Sequence, residues 1–253
     1  MSRLLRFEFR KLFMQKSFYI CTSVLIFLTI IPVAVARTMS DRIDVSGAMA
    51  QLTGVQYFVT GLSGSGIITI LAIIIPIFVC GDYSSGTIKN IIGKGYRRDA
   101  VFFSKYVAGA AATAIICAVF WITAFAIGTF LYGMGSGFKA SMLLMLITQL
   151  LVAVAYASIH FAISALLKKK GAAIALCILT PTIVSALLSL ASIIVALNGG
   201  DSDIGRYWLS SVFKSVSAMS VETGDLLKDL ARTCIYIIVF AYIGISASKR
   251  AEV

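Results

Sequence analysis

Five long apolar runs constrain this sequence more than any other feature. Each run holds at least 20 residues without a single Asp, Glu, Lys or Arg. A hydrocarbon layer about 30 Å thick is crossed by roughly 20 apolar residues in a helix. We therefore expect transmembrane helices at about 17–36, 61–80, 106–131, 140–167 and 172–197.

A sixth span is expected near the end of the chain, at about 231–248. Its uncharged run is short, so the helix must reach back past Lys228 and Arg232, whose long side chains can snorkel to the interface. The chain is 59% hydrophobic and 13% charged, whereas a soluble domain carries about a quarter charged residues. The sequence thus predicts a single transmembrane domain, 1–253, that is an all-α polytopic membrane protein with six spans.

The distribution of Lys and Arg predicts the orientation. An even number of spans puts both termini, 81–105 and 168–171 on one side, which then carries 15 of the 22 basic residues. By the positive-inside rule this side is the cytoplasm. The net charge of +11 is therefore explained by topology, and we expect no nucleic-acid partner.

Two segments outside the spans have an amphipathic pattern. Residues 1–16 predict an interfacial helix, with Leu5, Phe9, Leu12 and Phe13 toward the membrane and a strip of arginines toward anionic head groups. On the outer side, 198–230 is the longest extramembrane segment. Apolar residues recur through 208–219 at helical spacing, from Leu209 to Met219, which predicts a short outer helix.

The stretch 82–95 is basic and rich in glycine. Its Gly93-Lys94 pair resembles the end of a nucleotide-binding loop, but that loop requires Gly at 88 and Ser or Thr at 95. The residues there are Ile88 and Gly95, so the nucleotide-loop interpretation fails. We expect instead a short cytoplasmic helix that Asp82 caps, with an exposed apolar edge of isoleucines.

The sequence DYSSGTIKNIIGKGYRRDAVFFSK resembles the segment between spans two and three of ABC-transporter permeases of the type 2 exporter class. That class includes bacitracin-resistance, sodium-export and lantibiotic-immunity permeases. Asp82 stands where Glu is commoner in the family. The matching positions are Asp82, Gly86, Thr87, Ile88, Lys89, Asn90, Arg98 and Lys105.

The resemblance implies a transport subunit of an exporter in the bacterial plasma membrane, with no catalytic residue, metal or cofactor of its own. ATP and Mg would be held by a separate cytoplasmic ATP-binding subunit, present in two copies beside two permeases, identical or related. The segment 82–95 would be the coupling helix that docks on this subunit. The implied cargo is an antimicrobial peptide, a hydrophobic drug or an ion. The implied coupling residues are Asp82, Gly86, Thr87, Ile88, Lys89, Ile91, Ile92 and Arg98.

Two other classes stay open: a non-transporting membrane anchor or sensor subunit, and an ion-conducting secondary transporter. Ion-coupled transporters usually keep acidic or basic residues inside the membrane, and five of the spans have none. An intramembrane metalloprotease is excluded because His160 is the only histidine and the HExxH motif is absent.

The fourth span carries a polar stripe. Gln149, Tyr156 and His160 are spaced by seven and four residues and therefore lie within about 40° of one another on a helix. Because lipid offers polar groups no partner, the stripe should face protein or a water-filled path. Interhelical hydrogen bonding and the lining of a cargo pathway both remain possible roles.

Overall fold

The computed structural model describes residues 2–40, 53–64, 66–135, 140–198, 204–217 and 223–249. These ranges contain ten α-helices, two short 3-10 helices and no strands, so the all-α prediction is confirmed. The 3-10 helices are Gly61–Gly64 and Ile204–Tyr207. The α-helices are α1 (Ser2–Met14), α2 (Lys16–Ser40), α3 (Gly54–Thr60), α4 (Ile67–Ser84), α5 (Thr87–Gly93), α6 (Arg98–Tyr132), α7 (Ala140–Leu167), α8 (Lys170–Leu197), α9 (Leu209–Ser217) and α10 (Thr223–Lys249).

Six of these helices (α2, α4, α6, α7, α8 and α10) are long and apolar enough to cross a membrane, which confirms the predicted number of spans. Several helices extend beyond the uncharged runs, and the third and sixth do so most clearly. The helix of the third span begins at Arg98, before the predicted 106, and the apolar candidate segment of the sixth is Gly224–Ala247, where 231–248 was predicted. Charged residues are tolerated in the end turns of a span because they reach the interface.

Two spans form the core of the bundle and two lie at its periphery. In the most apolar 18-residue stretch of each helix, 67% of the residues of α7 and 61% of those of α4 are buried. In the same stretch of α8 and of α10, 11% are buried. α10 packs along α7 and approaches it closely at Gly244, where an added Cβ would lie 2.6 Å from the Phe161 ring. The exposed apolar faces of α8 and α10 are suited to contact lipid or another chain.

The charged segments gather at one end of the bundle. The Cys80 thiol, near the end of α4, lies 3.5 Å from the Ser164 carbonyl, near the end of α7. Arg97 and Ala100, at the start of α6, share a groove with Ile245, near the end of α10. We call this end the basic end; it comprises α1, α5, the α7–α8 turn and the last turns of α10. α3 and α9 lie at the far end.

The second span starts later than the sequence predicts. Instead of a continuous span from 61, the chain forms α3, the 3-10 helix and then α4 from Ile67. Gly66 separates them in a left-handed conformation with φ of 73°, which favours glycine. α3 is attached to the end of α6, since the Gly54 amide donates to the Gly133 carbonyl at 2.9 Å. The apolar run therefore contains a break that composition alone concealed.

The outer helix is present as α9, Leu209–Ser217; Met219 lies outside the described residues. Its apolar face is buried inside the protein and packs on α7, so α9 caps the far end of the bundle. The buried residues are Leu209, Val212, Phe213 and Val216.

α1 is helical as predicted, but its orientation differs from the expectation. The buried edge consists of Leu4, Glu8 and Leu12 and packs on α6, whereas Phe13 is 43% exposed. Of the residues predicted to face the membrane, Leu12 is thus buried against the protein, whereas Phe13 is exposed at the surface. The reason is Glu8, whose carboxylate finds its partners inside the bundle.

Candidate functional site

The segment between α4 and α6 is built around two glycines. α4 continues to Ser84, and Gly86 then takes a left-handed conformation (φ 67°) as the N-cap residue of α5. Gly95 has φ of 86° and follows the end of α5. Both conformations are strained for residues with a Cβ. The short helix is therefore Thr87–Gly93 instead of 82–95, and Asp82 does not cap it.

Asp82 belongs to a buried cluster of charges that three helices share. The Lys105 ammonium, 0% exposed, donates to both carboxylate oxygens of Glu8 at 3.0 and 3.2 Å and to Oδ2 of Asp82. Lys11 forms an ion pair with the other oxygen of Asp82. The Phe78 ring lies 4.8 Å from Lys105 Nζ and adds a cation–π contact. We call Glu8, Lys11, Asp82 and Lys105 the charge cluster.

The charge cluster joins α1, α4 and α6 at the root of α5. It holds two positive and two negative side chains, so its formal charges balance. A buried ion pair contributes little net stability, but removal of one partner leaves an uncompensated charge, at a cost of about 3–5 kcal/mol. The cluster therefore forms only when the three helices are in register, and it penalises any movement of one helix alone.

Lys11 differs from Lys105 because it reaches the surface. Its side chain is 29% exposed. Burial, and next the nearby Lys105 ammonium, lower the pKa of Lys11 to about 8, while Glu8 acts in the opposite direction. Lys11 therefore combines a lowered pKa with access to water.

The surface of α5 differs from the predicted isoleucine edge. Ile88 is 1% exposed and is buried where α5 contacts α4 and α6. The prediction that Ile88 forms part of an exposed edge was therefore wrong. Ile91 and Ile92 are half-buried, and Lys89 and Asn90 are exposed. The surface that α5 offers to a partner is thus polar and cationic at its centre, with the isoleucines at its margin.

The remaining coupling positions of the sequence prediction flank this surface. The Thr87 hydroxyl lies 2.7 Å from the Ser85 hydroxyl, within the turn that Gly86 forms. Arg98 is exposed at the first residue of α6. The structure therefore brings all eight predicted coupling residues to the basic end, but it buries Asp82 and Ile88.

Sequence reasoning missed Glu8 and Lys11. The available signal was that Glu8 is the only acidic residue among the first 40. It lies one turn after Leu4 and one turn before Leu12, so it occupies the apolar edge of α1. An acidic residue on the buried edge of a helix requires a cation, and Lys105 in α6 supplies it.

The polar stripe of α7 lies inside the chain and meets three different elements. The Gln149 side chain donates to the Val59 carbonyl of α3 at 2.6 Å. The Tyr156 ring packs edge-on against Trp208, with centroids 6.2 Å apart. The backbone carbonyl of His160 accepts from the Cys177 thiol of α8 at 3.8 Å. The three side chains are 0–1% exposed, so the stripe faces protein.

Fold and charge pattern together define a polytopic helical membrane protein whose basic end carries a short surface helix between two spans. The sequence model of the ABC-2 family transporter proteins matches residues 3–205, which is most of the 253 residues. The chain therefore belongs to the ABC-2 family of transporter proteins. Members of this family are membrane-spanning transport subunits, so the chain is a permease and is not itself the catalyst. A comparison with curated proteins found no match.

Proposed function

We propose that this permease exports its cargo with energy from a separate cytoplasmic ATP-binding subunit that docks on α5. The observation that carries the proposal is the charge cluster at the root of α5. It ties the last turn of α4, the start of α6 and the interfacial helix α1 into one unit. A displacement of α5 would therefore be transmitted to α4 and α6 together and would not be lost in a flexible loop.

The docking surface would consist of Lys89 and Asn90, with Ile91 and Ile92 at its margin. Exposed charges orient a partner and set the rate of association, and the half-buried isoleucines supply apolar contact when the partner covers them. Closure of two ATP-binding subunits around ATP and Mg would push α5 and displace α4 and α6 as packed rods. The buried Ile88 side chain would hold α5 against α4 and α6.

The assembly would contain two permeases and two ATP-binding subunits in the bacterial plasma membrane, with both termini in the cytoplasm. The charge distribution supports this orientation, because the basic end holds α1, α5 and the α7–α8 turn. The second permease, identical or related, would cover part of the exposed apolar surface of α8 and α10. Only 11% of the residues in the most apolar stretch of each of these helices are buried.

A cleft between α4 and α8 is the best candidate for contact with cargo. Its volume is about 330 Å³, and its walls combine apolar side chains with two threonines, a cysteine and backbone. The side chains that line it are Ile67, Ile68, Thr69, Ala72, Cys177, Ile178, Pro181 and Thr182, together with Gly66. Such a surface suits a peptide or hydrophobic cargo, in keeping with the implied resistance to antimicrobial peptides. The stripe of α7 lies elsewhere, in the packed interior.

The test is to isolate the tagged permease from its native membrane and to identify and assay the ATP-hydrolysing chain that accompanies it. Lys89→Glu should reduce the bound ATP-binding subunit and the ATPase activity at least several-fold, since it reverses the charge at the centre of the docking surface. The matched control is Lys214→Glu, which reverses an exposed lysine of α9 at the far end. Ile88→Asp serves as a folding control, because a buried charge should lower the yield of folded permease.

The outcomes separate the alternatives. Equal ATPase activity with Lys89→Glu and Lys214→Glu would contradict docking on α5. A stable complex with an ATP-binding subunit in which cargo never stimulates hydrolysis would favour the anchor or sensor class. Transport that persists in vesicles without any ATP-binding subunit would favour a secondary transporter.

A further inference from the structure

The exposed face of α1 is composed almost entirely of arginine and large apolar residues. Glu8, the only acidic residue of α1, is 0% exposed because Lys105 holds it inside. Phe7 is 44% exposed and Met14 72%. The exposed residues of Ser2–Met14 are Ser2, Arg3, Arg6, Phe7, Arg10, Phe13 and Met14. This face therefore presents cations among apolar side chains with no acidic residue between them.

The connection between α1 and α2 fixes where this face lies. Only Gln15 separates Met14 from the first membrane-spanning helix, so α1 must lie at the edge of the hydrocarbon layer. Phe13 packs edge-on against Phe18 of α2, with ring centroids 6.0 Å apart. The exposed apolar surface then continues onto Tyr19 and Ile20. The apolar residues of α1 thus extend the lipid-facing surface of α2.

We propose that this face of α1 binds anionic phospholipids of the inner leaflet. Arg3, Arg6 and Arg10 would bind phosphate groups, since the planar guanidinium matches their oxygens. Phe7, Phe13 and Met14 would enter the acyl boundary beside them, as the apolar residues of interfacial helices do. We assign lipid as the occupant because the apolar residues are continuous with a span, and a helix joined to that span by one residue holds its cations at the membrane surface.

The two edges of α1 would then have different partners. One edge carries Glu8, which is paired with Lys105 in the charge cluster, and the opposite face carries the three arginines. Lipid would hold the outer face while the cluster holds the inner edge, so that α1 clamps the start of α6 to the membrane surface. The attachment depends on lipid charge and weakens with salt, because exposed charges are screened within about 10 Å at 0.1 M salt.

The experiment measures phospholipids bound to the purified full-length permease by native mass spectrometry, with phosphatidylglycerol and phosphatidylcholine offered in equal amounts. The test variant combines Arg3→Gln, Arg6→Gln and Arg10→Gln. The matched control combines Arg206→Gln, Lys214→Gln and Lys228→Gln, which remove three exposed cations at the far end. Because each cation at an anionic surface strengthens binding about fivefold, the loss of three cations should lower the preference for phosphatidylglycerol by about a hundredfold. The control should retain it.

Two results would overturn the proposal. One is an unchanged preference in the test variant; the other is an equal loss in the control, which would indicate a general effect of net charge. Loss of the ATP-binding subunit with an unchanged lipid preference would assign the arginines to protein contact instead. If the triple variant folds poorly, Arg6→Gln alone should lower the preference about fivefold, and an unchanged preference in that variant contradicts the proposal equally.

Discussion

The two ends of the bundle are held together by different physical means. At the basic end, Lys105 joins α1, α4 and α6 through ion pairs that are fully buried. At the far end, α3 is held by close backbone packing on α6, where an added Cβ on Gly128 would lie 2.9 Å from Gly54 Cα. The far end also has an ion pair, Arg232–Asp229 at 3.0 Å, but both side chains are partly exposed.

This difference bears on how a transporter could change its conformation. Close packing has one good arrangement and resists any displacement. A charge cluster is directional, because its ion pairs form only when the three helices are in register. We infer that force enters at the basic end, while α3 and α9 form a stiff cap.

Replacement of Lys105 should have the largest effect. Lys105→Met leaves the buried carboxylates of Glu8 and Asp82 with too few partners, so we expect the free energy of unfolding to fall by about 3–5 kcal/mol. Thermal unfolding of the detergent-solubilised permease would measure it. The double variant Lys105→Met with Glu8→Gln should recover part of the loss, because it removes one of the orphaned charges.

Lys228→Met is the matched control for this experiment, since Lys228 forms an exposed ion pair with Asp225 at 3.0 Å. Exposed pairs contribute about 0–1 kcal/mol. Equal stability of Lys105→Met and Lys228→Met would mean that the charge cluster does not hold the basic end.

At the far end, the substitution Gly54→Ala tests close packing. The added Cβ would overlap the Thr129 side chain and lie 2.7 Å from the Thr129 amide nitrogen, so we expect a loss of about 1–3 kcal/mol. The control is Gly171→Ala in α8, where the added Cβ meets nothing within 4 Å. Should both variants unfold at the same temperature, α3 is not packed on α6 as described.

The sequence was sufficient for the spans and insufficient for the contacts between them. Long uncharged runs specify membrane helices because lipid tolerates few alternatives. The break before Ile67 was missed although residues 61–66, GLSGSG, form a Gly/Ser cluster of the kind that marks a break, because Gly and Ser also occur inside membrane helices. The pairing of Glu8 with Lys105 joins residues 97 positions apart, which no local pattern reveals. Ile88 was misjudged for a related reason: periodicity finds an apolar edge but does not tell which surface covers it.

A smaller effect is expected at the polar stripe of α7. Gln149→Leu removes the donor to the Val59 carbonyl, and such a bond in a membrane bundle contributes about 0.6–1 kcal/mol. Thr148→Val is the control, since the Thr148 hydroxyl donates to the Leu144 carbonyl within its own helix. A modest loss of stability with normal transport per molecule supports a packing role. Normal stability with altered cargo preference would assign Gln149 to the pathway.

A separate prediction concerns the pH dependence of Lys11. Its pKa is lowered from 10.5 to about 8 in the folded chain, so the unfolded chain binds more protons between these values. The contribution of Lys11 to the free energy of unfolding should therefore rise with pH across this window. The wild type should gain stability relative to Lys11→Met between pH 8 and about 10. A relative loss over that range would mean that the ion pair with Asp82 outweighs burial.

We propose that the ATP-binding subunit docks on α5 at the basic end, and this docking can be captured by cross-linking. Its most direct test places a photoreactive amino acid at Asn90 of α5 or at Lys214 of α9, two exposed positions, in permease expressed in its native membrane. Illumination should link the Asn90 variant covalently to a chain that carries an ATP-binding sequence, and the Lys214 variant should give no such product. A product from Lys214, or none from Asn90 in membranes where the ATP-binding subunit is present and active, would contradict the account.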